Sequence, residues 1–348
     1  SRIDLGRLRR GLGLPVRLLG VGLPLTIAAG TLAGLSALPG LTVAEALILA
    51  IVLAPTDAAL GQAVVTDRRL PARIRQALNV ESGLNDGICV PLLFIALAAA
   101  EAEDRLVSGS QAVHIVFQEI GGGLAGGVVA GLAGAFAVRL AVKRGLGEGS
   151  WIQVIPAATA LLAYGLSAIP GGSGFIAAFV AGLVFGGLEK TGARQVTSLV
   201  DDAGEFLDAI TLALFGAVLL GPLLGELSWR SLLYAALSLT LVRMAPVALA
   251  LLGSGAALPT VGFLGWFGPR GLASIVFAIT VVEESRLPQL HPMLAAISAT
   301  IGLSIAAHGL TARPLTERYA RWYQRHSPAP AMEGLAVMEH RWRRGSAG

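Results

Sequence analysis

NVESGLNDGICVPLL, residues 79–93, places two carboxylates and an amide, Glu81, Asp86 and Asn85, inside a run otherwise apolar enough to lie in a bilayer. A charge at that depth is costly, and it persists where it pairs with another group or binds an ion or a proton. Ser82 and Asp86 are four residues apart and share a helix face, as do Glu81 and Asn85; at about 100° per residue the four together cover roughly 140°. The segment reads as a membrane helix with one polar face.

The rest of the chain is apolar to match. Of 348 residues 54% are hydrophobic and 14% charged, and the mean hydropathy is +0.71, the composition of a membrane protein rather than of a soluble domain. A spanning helix needs about 20 apolar residues. Ten such segments fit between Pro15 and Thr311: A 16–37, B 43–65, C 75–100, D 112–142, E 151–169, F 174–188, G 205–224, H 231–252, I 260–282 and J 291–311. The polar, basic residues from Arg313 onward are expected to form a cytosolic helix followed by disorder. Ser1 to Arg17 has no cleavable apolar leader; it reads as a basic loop that follows an earlier membrane segment, and the chain as a fragment or processed product. The single cysteine, Cys89, cannot form an internal disulfide and reads as a small core residue.

Positive charge gives the sidedness. With the N-terminal loop inside, 21 of the 26 lysines and arginines fall on inside segments (1–17, 66–76, 139–150, 187–204 and the tail), and three, Arg105, Arg230 and Arg286, on outside loops. Arg243 and Arg270 remain, both in mid-membrane, together with three acids, Asp57, Glu81 and Asp86. Glu45, Glu119, Glu205 and Asp208 lie nearer helix ends and read as snorkelling or interfacial charges. If each arginine neutralises one buried acid, a single carboxylate is left to take up a proton or a cation.

Two of the spans should be interrupted. In LAPTDAALG, residues 53–61, Pro55 forbids a backbone hydrogen bond and crowds the preceding turn in mid-span, next to Thr56 and Asp57. FGPRGLAS, residues 267–274, repeats the device with Pro269 and Gly271 around Arg270. Such breaks are tolerated where the freed carbonyls and amides meet protein, water or an ion. Segments A to C and H to J start from opposite sides of the membrane, so the breaks in B and I form the pattern of an inverted repeat, which in secondary transporters marks a site near the midplane.

APTDAAL (54–60), ESGLNDG (81–87), GFIAAFVAGLVFG (174–186) and GPRGLAS (268–274), in this order and spacing, resemble the monovalent cation:proton antiporter family in its bacterial sodium/proton exchanger branch. The resemblance covers nearly the whole chain, and the Asn85–Asp86 pair is its most specific element. It implies an all-α membrane protein of thirteen helices in a dimer domain and a core domain that moves as an elevator, the first three helices lying before segment A. It makes Asp86 the ion- and proton-binding carboxylate, with Ser82, Thr56, Asp57 and Asn85 lining the same site and Asp86, Ser82 and Thr56 holding sodium. Glu81 would be fixed by Arg243, Arg270 would balance charge at the second broken helix, and Asn85 is associated with electroneutral exchange. Ala58 stands where many relatives have Pro, which implies a milder break in B.

Other signals have plain structural readings. GGGLAGGVVAGLAGA (121–135) fits close packing of small residues between helices, since no strand precedes it as a phosphate loop requires. LVDDAGEFLD (199–208) reads as start-of-helix charge. Of the histidines only His308 approaches a membrane end, and no spacing suggests zinc or haem. The basic total fits inside loops near anionic lipid rather than nucleic acid. An intramembrane protease lacks its motifs here, and a channel has no need of two inverted broken helices.

The sequence thus specifies an all-α membrane protein of about ten transmembrane helices with two broken crossing helices and an inverted-repeat antiporter fold. Residues 1–111 are expected to form core helices with the ion site, 112–228 the dimer or scaffold helices, 229–312 the remaining core helices and 313–348 a cytosolic tail. The expected activity is exchange of sodium or lithium for protons, one for one and electroneutral, with potassium/proton antiport the alternative and a cation channel the remote one. No cofactor and no enzymatic activity are expected. The expected partners are the transported ions, membrane lipid and, in the full-length protein, a second copy in a homodimer. The expected location is the plasma or inner membrane, with the tail in the cytoplasm.

Overall fold

The computed structural model describes residues 13–57, 60–103, 109–146, 150–188, 193–285 and 287–326, and every regular element among them is helical. Each of the ten apolar segments forms a helix or a pair of helical pieces. Segment A is α1 (Leu23–Ala37), reached through a π-helical turn at Leu18–Gly22; B splits into α2 (Val43–Val52) and a single turn, α3 (Gln62–Val65). C to F are α4 (Ala72–Glu103), α5 (Gly109–Lys143), α6 (Val154–Ala168) and α7 (Gly174–Leu188). G is α8 (Ala193–Leu214), continued by a π-helical stretch at Phe215–Leu220. H divides into α9 (Trp229–Leu239) and α10 (Leu241–Ala250), I into α11 (Leu258–Trp266) and α12 (Leu272–Glu284), and J is α13 (Leu290–His326).

Helix starts follow local chemistry. Thr42 opens α2 with a capping box: the Glu45 N–H donates to Thr42 Oγ1 at 3.1 Å, and the Thr42 N–H donates to Glu45 Oε2 at 2.9 Å. The other Glu45 oxygen accepts the Gln289 N–H, just before α13, at 2.8 Å. Glu45 is therefore not a snorkelling charge; it is 1% exposed and ties two helix starts together. Ser228 caps α9 in the same manner, accepting the Ser231 N–H at 3.1 Å.

Two boundaries differ from expectation. Segment H is not one helix: Thr240 leaves helical geometry at φ −108° and ψ −91°, and its hydroxyl folds back onto the Ala236 carbonyl at 2.6 Å, a bond that bends helices. Segment J does not end at 311, and no separate tail helix begins after it. α13 runs through Pro314 to His326, because Ala312, Thr316, Tyr319 and Ala320 are buried. Phe263 of α11 stacks on the Tyr319 ring at 4.4 Å, and Thr260 Oγ1 and the Tyr319 hydroxyl share a buried hydrogen bond of 2.8 Å. The expectations for Ala58, for the first twelve residues and for residues 327–348 lie outside the described residues.

α5, α6 and α7 pack on one another through the glycine run of segment D. A Cβ at Gly127 would come within 2.6 Å of the Ala177 carbonyl and 2.7 Å of Val180 Cβ, and one at Gly131 within 2.8 Å of the Ala181 carbonyl. The helices approach too closely for any side chain there. A second set, α1, α2, α4, α9, α12 and α13, surrounds a core that includes Ile48, Leu49, Val52, Leu93, Tyr234, Met293 and Ile297. The broken helices cross within this second set. In the turn before α4, the Arg69 guanidinium beside Asp67 holds its carboxyl below the usual carboxylate range.

Gly127→Val should lower stability by about 1–3 kcal/mol through overpacking, read as an earlier thermal transition of the purified protein in detergent. Gly121→Ala, where a Cβ meets nothing within 4 Å, is the control and should melt with the parent. Equal melting of the two variants would show that α5 and α7 are not in this contact.

Candidate cation site

Pro55 and Pro269 interrupt B and I at one place. The extended residues of the two breaks run against each other, joined where the Asp57 N–H donates to the Pro269 carbonyl at 2.7 Å. α2 ends just before this crossing and α12 begins just after it, so the two termini bring to it the equivalent of roughly half a negative and half a positive charge. The two break residues compensate them crosswise. Arg270, 0% exposed, donates from Nη1 to the carbonyls of Ala54 at 3.0 Å and Pro55 at 3.2 Å. Asp57 Oδ2 accepts the Leu272 N–H, the first turn of α12, at 3.1 Å. Arg270 thus balances the carbonyl end of α2 and does not neutralise a carboxylate, as the one-arginine-per-acid count supposed.

The glycines of GPRG make this approach possible. A Cβ at Gly268 would fall within 2.7 Å of Arg243 Nε and 3.0 Å of Thr56 Cγ2, and one at Gly271 would overlap the Asp57 carboxylate.

α4 brings its polar face to the same crossing. Asn85 Nδ2 donates to Thr56 Oγ1 at 2.8 Å, and Thr56 Oγ1 and Ser82 Oγ share a hydrogen bond at 3.0 Å. All three side chains are buried. Glu81, one position behind Ser82, meets Arg243 of α10 in a two-pronged ion pair: Nη1 donates to Oε1 at 2.5 Å and Nη2 to Oε2 at 2.9 Å. Parallel N–H···O bonds of this kind are among the strongest a side chain makes. The pair is buried on both sides, 4% exposed at each side chain.

Asp86 stands apart from these pairings. Among the described residues nothing donates a hydrogen bond to it, and its Oδ1 is inaccessible and unpartnered, as is Asn85 Oδ1. The acids whose charge reaches it are Asp57 and Asp208, the latter on α8. Asp208 and Glu205 had read as ordinary helix-end charges, yet Glu205 accepts a hydrogen bond from Gln62 Nε2 at 2.9 Å, joining α8 to the far side of the first break. Phe179 of α7 lies directly on Gly87, where any Cβ would overlap its ring, so an aromatic side chain covers α4 next to Asp86. Neither Asp208 nor Phe179 carries a local sequence signal of this role; both arrive from other helices. The structure therefore joins Thr56, Ser82 and Asn85 directly, joins Glu81 to Arg243, and sets Asp57 and Arg270 on opposite helix ends beside them. The chemistry gathered here is oxygen: two hydroxyls, one amide carbonyl and one carboxylate, the donors that hard cations take.

Comparison with known proteins agrees with this architecture. Residues 1–318 match the sequence profile described as the sodium/hydrogen exchanger, transmembrane family. The chain is 27% identical over 263 residues to the Na+/H+ antiporter 2 of Zygosaccharomyces rouxii, covering 70% of this chain and 32% of that protein. It is also 27% identical over 263 residues to the Na+/H+ antiporter of Saccharomyces cerevisiae, covering 71% and 26%. The chain thus spans only about a quarter to a third of these fungal relatives. Among solved structures, the sodium proton antiporter MjNhaP1 of Methanocaldococcus jannaschii superposes with a TM-score of 0.73 over 92% of this chain and 81% of that one, at 20% identity. That likeness shows the fold.

Removing one partner of a buried ion pair leaves the other charge uncompensated, so Glu81→Ala should cost about 3–5 kcal/mol. Adding Arg243→Met should restore most of it, both read by unfolding in detergent. A Glu81→Ala protein that melts like the parent and no longer binds sodium would make Glu81 a ligand instead of a structural partner.

Proposed function

The chain belongs to the sodium/hydrogen exchanger family, and on that premise we propose that it exchanges sodium, with lithium as an alternative cargo, for protons. The observation that carries the reading is the Asp86 carboxylate beside the crossed helix breaks, unpartnered among the described residues, while Glu81, Arg243, Asp57 and Arg270 all have partners there. Thr56 and Ser82 supply hydroxyl oxygens and Asn85 its free amide oxygen beside it. A proton and a cation cannot both occupy Asp86, so each drives release of the other, and alternating exposure of the site turns that competition into exchange. Nothing in this scheme calls for a cofactor or a covalent step.

The same proposal extends to the machinery. Residues 1–111 and 229–312 act as the mobile core that carries the site, and 112–228, with the close-packed α5 to α7, as the scaffold against which it moves, in the manner of an elevator. In the full-length protein the scaffold pairs with that of a second copy. The charge bias supports a cytoplasmic position for the end of α13, and the membrane proposed is the plasma or inner membrane.

The charge count gives the stoichiometry. Asp57, Glu81 and an ionised Asp86 set three negative charges against Arg243 and Arg270, leaving one. One proton or one sodium neutralises it, so the loaded carrier has the same charge in both directions. An unbalanced cycle would be steered by voltage, at about 2.3 kcal/mol per charge per 100 mV; this one should not be.

Asp86→Asn should abolish sodium-dependent proton movement in vesicles and sodium protection against unfolding together, while the protein still inserts; retained exchange would remove Asp86 from the site. A second measurement imposes a potassium–valinomycin potential on vesicles of the parent at fixed pH and sodium gradients. The direction of exchange should ignore the sign of the potential. Reversal with that sign would mean that a second proton moves and that another acid, Asp57 or Asp208, titrates in the cycle.

A further inference from the structure

One polar face of α13, made by Ser304, His308 and Thr311, lies against the residues that lead into the second break and is not used by the cation site. His308 is 3% exposed. Its Nε2 is 2.8 Å from the Trp266 carbonyl, which can only accept, so Nε2 carries a hydrogen and donates. That carbonyl also accepts the Gly268 N–H at 2.9 Å, so both its lone pairs are engaged. On the other side of the ring, Nδ1 lies 3.2 Å from Ser304 Oγ and 2.9 Å from the Ser304 carbonyl. Ser304 Oγ in turn accepts the backbone N–H of Arg270 at 2.7 Å.

The ring therefore bridges α13 and the break. Arg270 N–H donates to Ser304 Oγ, His308 Nδ1 lies against the Ser304 hydroxyl and carbonyl, and His308 Nε2–H donates to the Trp266 carbonyl. The Trp266 ring is held as well, donating from Nε1 to Thr311 Oγ1 at 3.0 Å and stacking on the imidazole at 5.2 Å. Both ends of the extended residues 267–270 are thereby fixed to α13, and the Arg270 guanidinium at their end holds the carbonyls of the first break.

We infer that His308 is a positioning residue of the transport site: it holds the second break, and through it Arg270, in the geometry that keeps the crossing compensated. This rests on the exchange proposed above. The charged groups that face the ring are Arg270 from the break and Arg243 from α10; Trp266 and Phe267 are the rings beside it.

The test compares His308→Leu and His308→Gln in the full chain, by exchange in vesicles across pH and by hydrogen–deuterium exchange of residues 266–272. Glutamine keeps a donor for the Trp266 carbonyl; leucine keeps none. His308→Leu should slow exchange about tenfold, as loss of one buried hydrogen bond in the working geometry implies, and should speed deuteration of the Arg270 amide. His308→Gln should stay closer to the parent in both exchange rate and amide protection. Unchanged rate and amide protection in His308→Leu, or a glutamine variant as impaired as the leucine one, would overturn the assignment. A parent that shows no exchange, with deuteration still responding as stated, would support the clamp and overturn the exchange reading.

Discussion

Two helices that stop halfway through an apolar layer leave backbone carbonyls and amides with no water to receive them, and each such group costs free energy until it finds a partner. In this protein the partners come from the opposite break: a guanidinium for the carbonyls, a carboxylate for an amide. Because each charged side chain offsets a helix end of opposite sign, neither needs a second ion beside it. The crossing is thus a closed set of charges, and an acid placed next to it is conspicuous for having no such partner. Arg270 holds the crossing's form by donating to backbone carbonyls, and its own backbone N–H is held in turn by Ser304.

Close approach is the other half of that constraint. Charged groups compensate one another at hydrogen-bond distance or hardly at all, and the two breaks reach that distance because Gly268 and Gly271 present no side chain to Arg243, Thr56 and Asp57. The glycines of α5 play a different part, allowing three helices to touch along their length where lipid supplies no hydrophobic drive for association. One sort of glycine admits a charge, the other admits a neighbouring backbone. The first makes the polar crossing possible; the second makes a tightly packed body beside it.

Much of this was legible in the sequence because it is written locally. Apolar length marks the spans, Pro55 and Pro269 mark the breaks, and spacing puts Ser82 with Asp86 and Glu81 with Asn85 on shared helix faces. Opposite charges stranded in mid-membrane also announce that Glu81 needs a cation. What stayed hidden is what depends on distant chain: Arg270 and the Ala54 carbonyl are 216 residues apart, and no local pattern tells a carboxylate from a helix end as the arginine's partner. Glu45 looked like an interfacial charge because its second role, holding the Gln289 amide, comes from 244 residues away. The bend at Thr240 and the reach of α13 to His326 were missed for a related reason. One depends on a threonine choosing its own helix carbonyl, the other on aromatic packing that overrides the polar look of the residues after 313.

The amide at position 85 then gains a physical meaning. Asn85 donates to Thr56 with its nitrogen and leaves its oxygen unpaired, so it orders the hydroxyls while adding no charge. An aspartate there would have only acceptors to offer Thr56, and it would put a second carboxylate one residue from Asp86 on the same polar face. Two carboxylates sharing a site cannot both stay ionised without another cation, so one would hold a proton over most of the pH range and release it when sodium arrives. On the exchange proposed above, the number of protons moved per cation would then depend on whether the neighbour of Asp86 can ionise, and an amide at position 85 cannot.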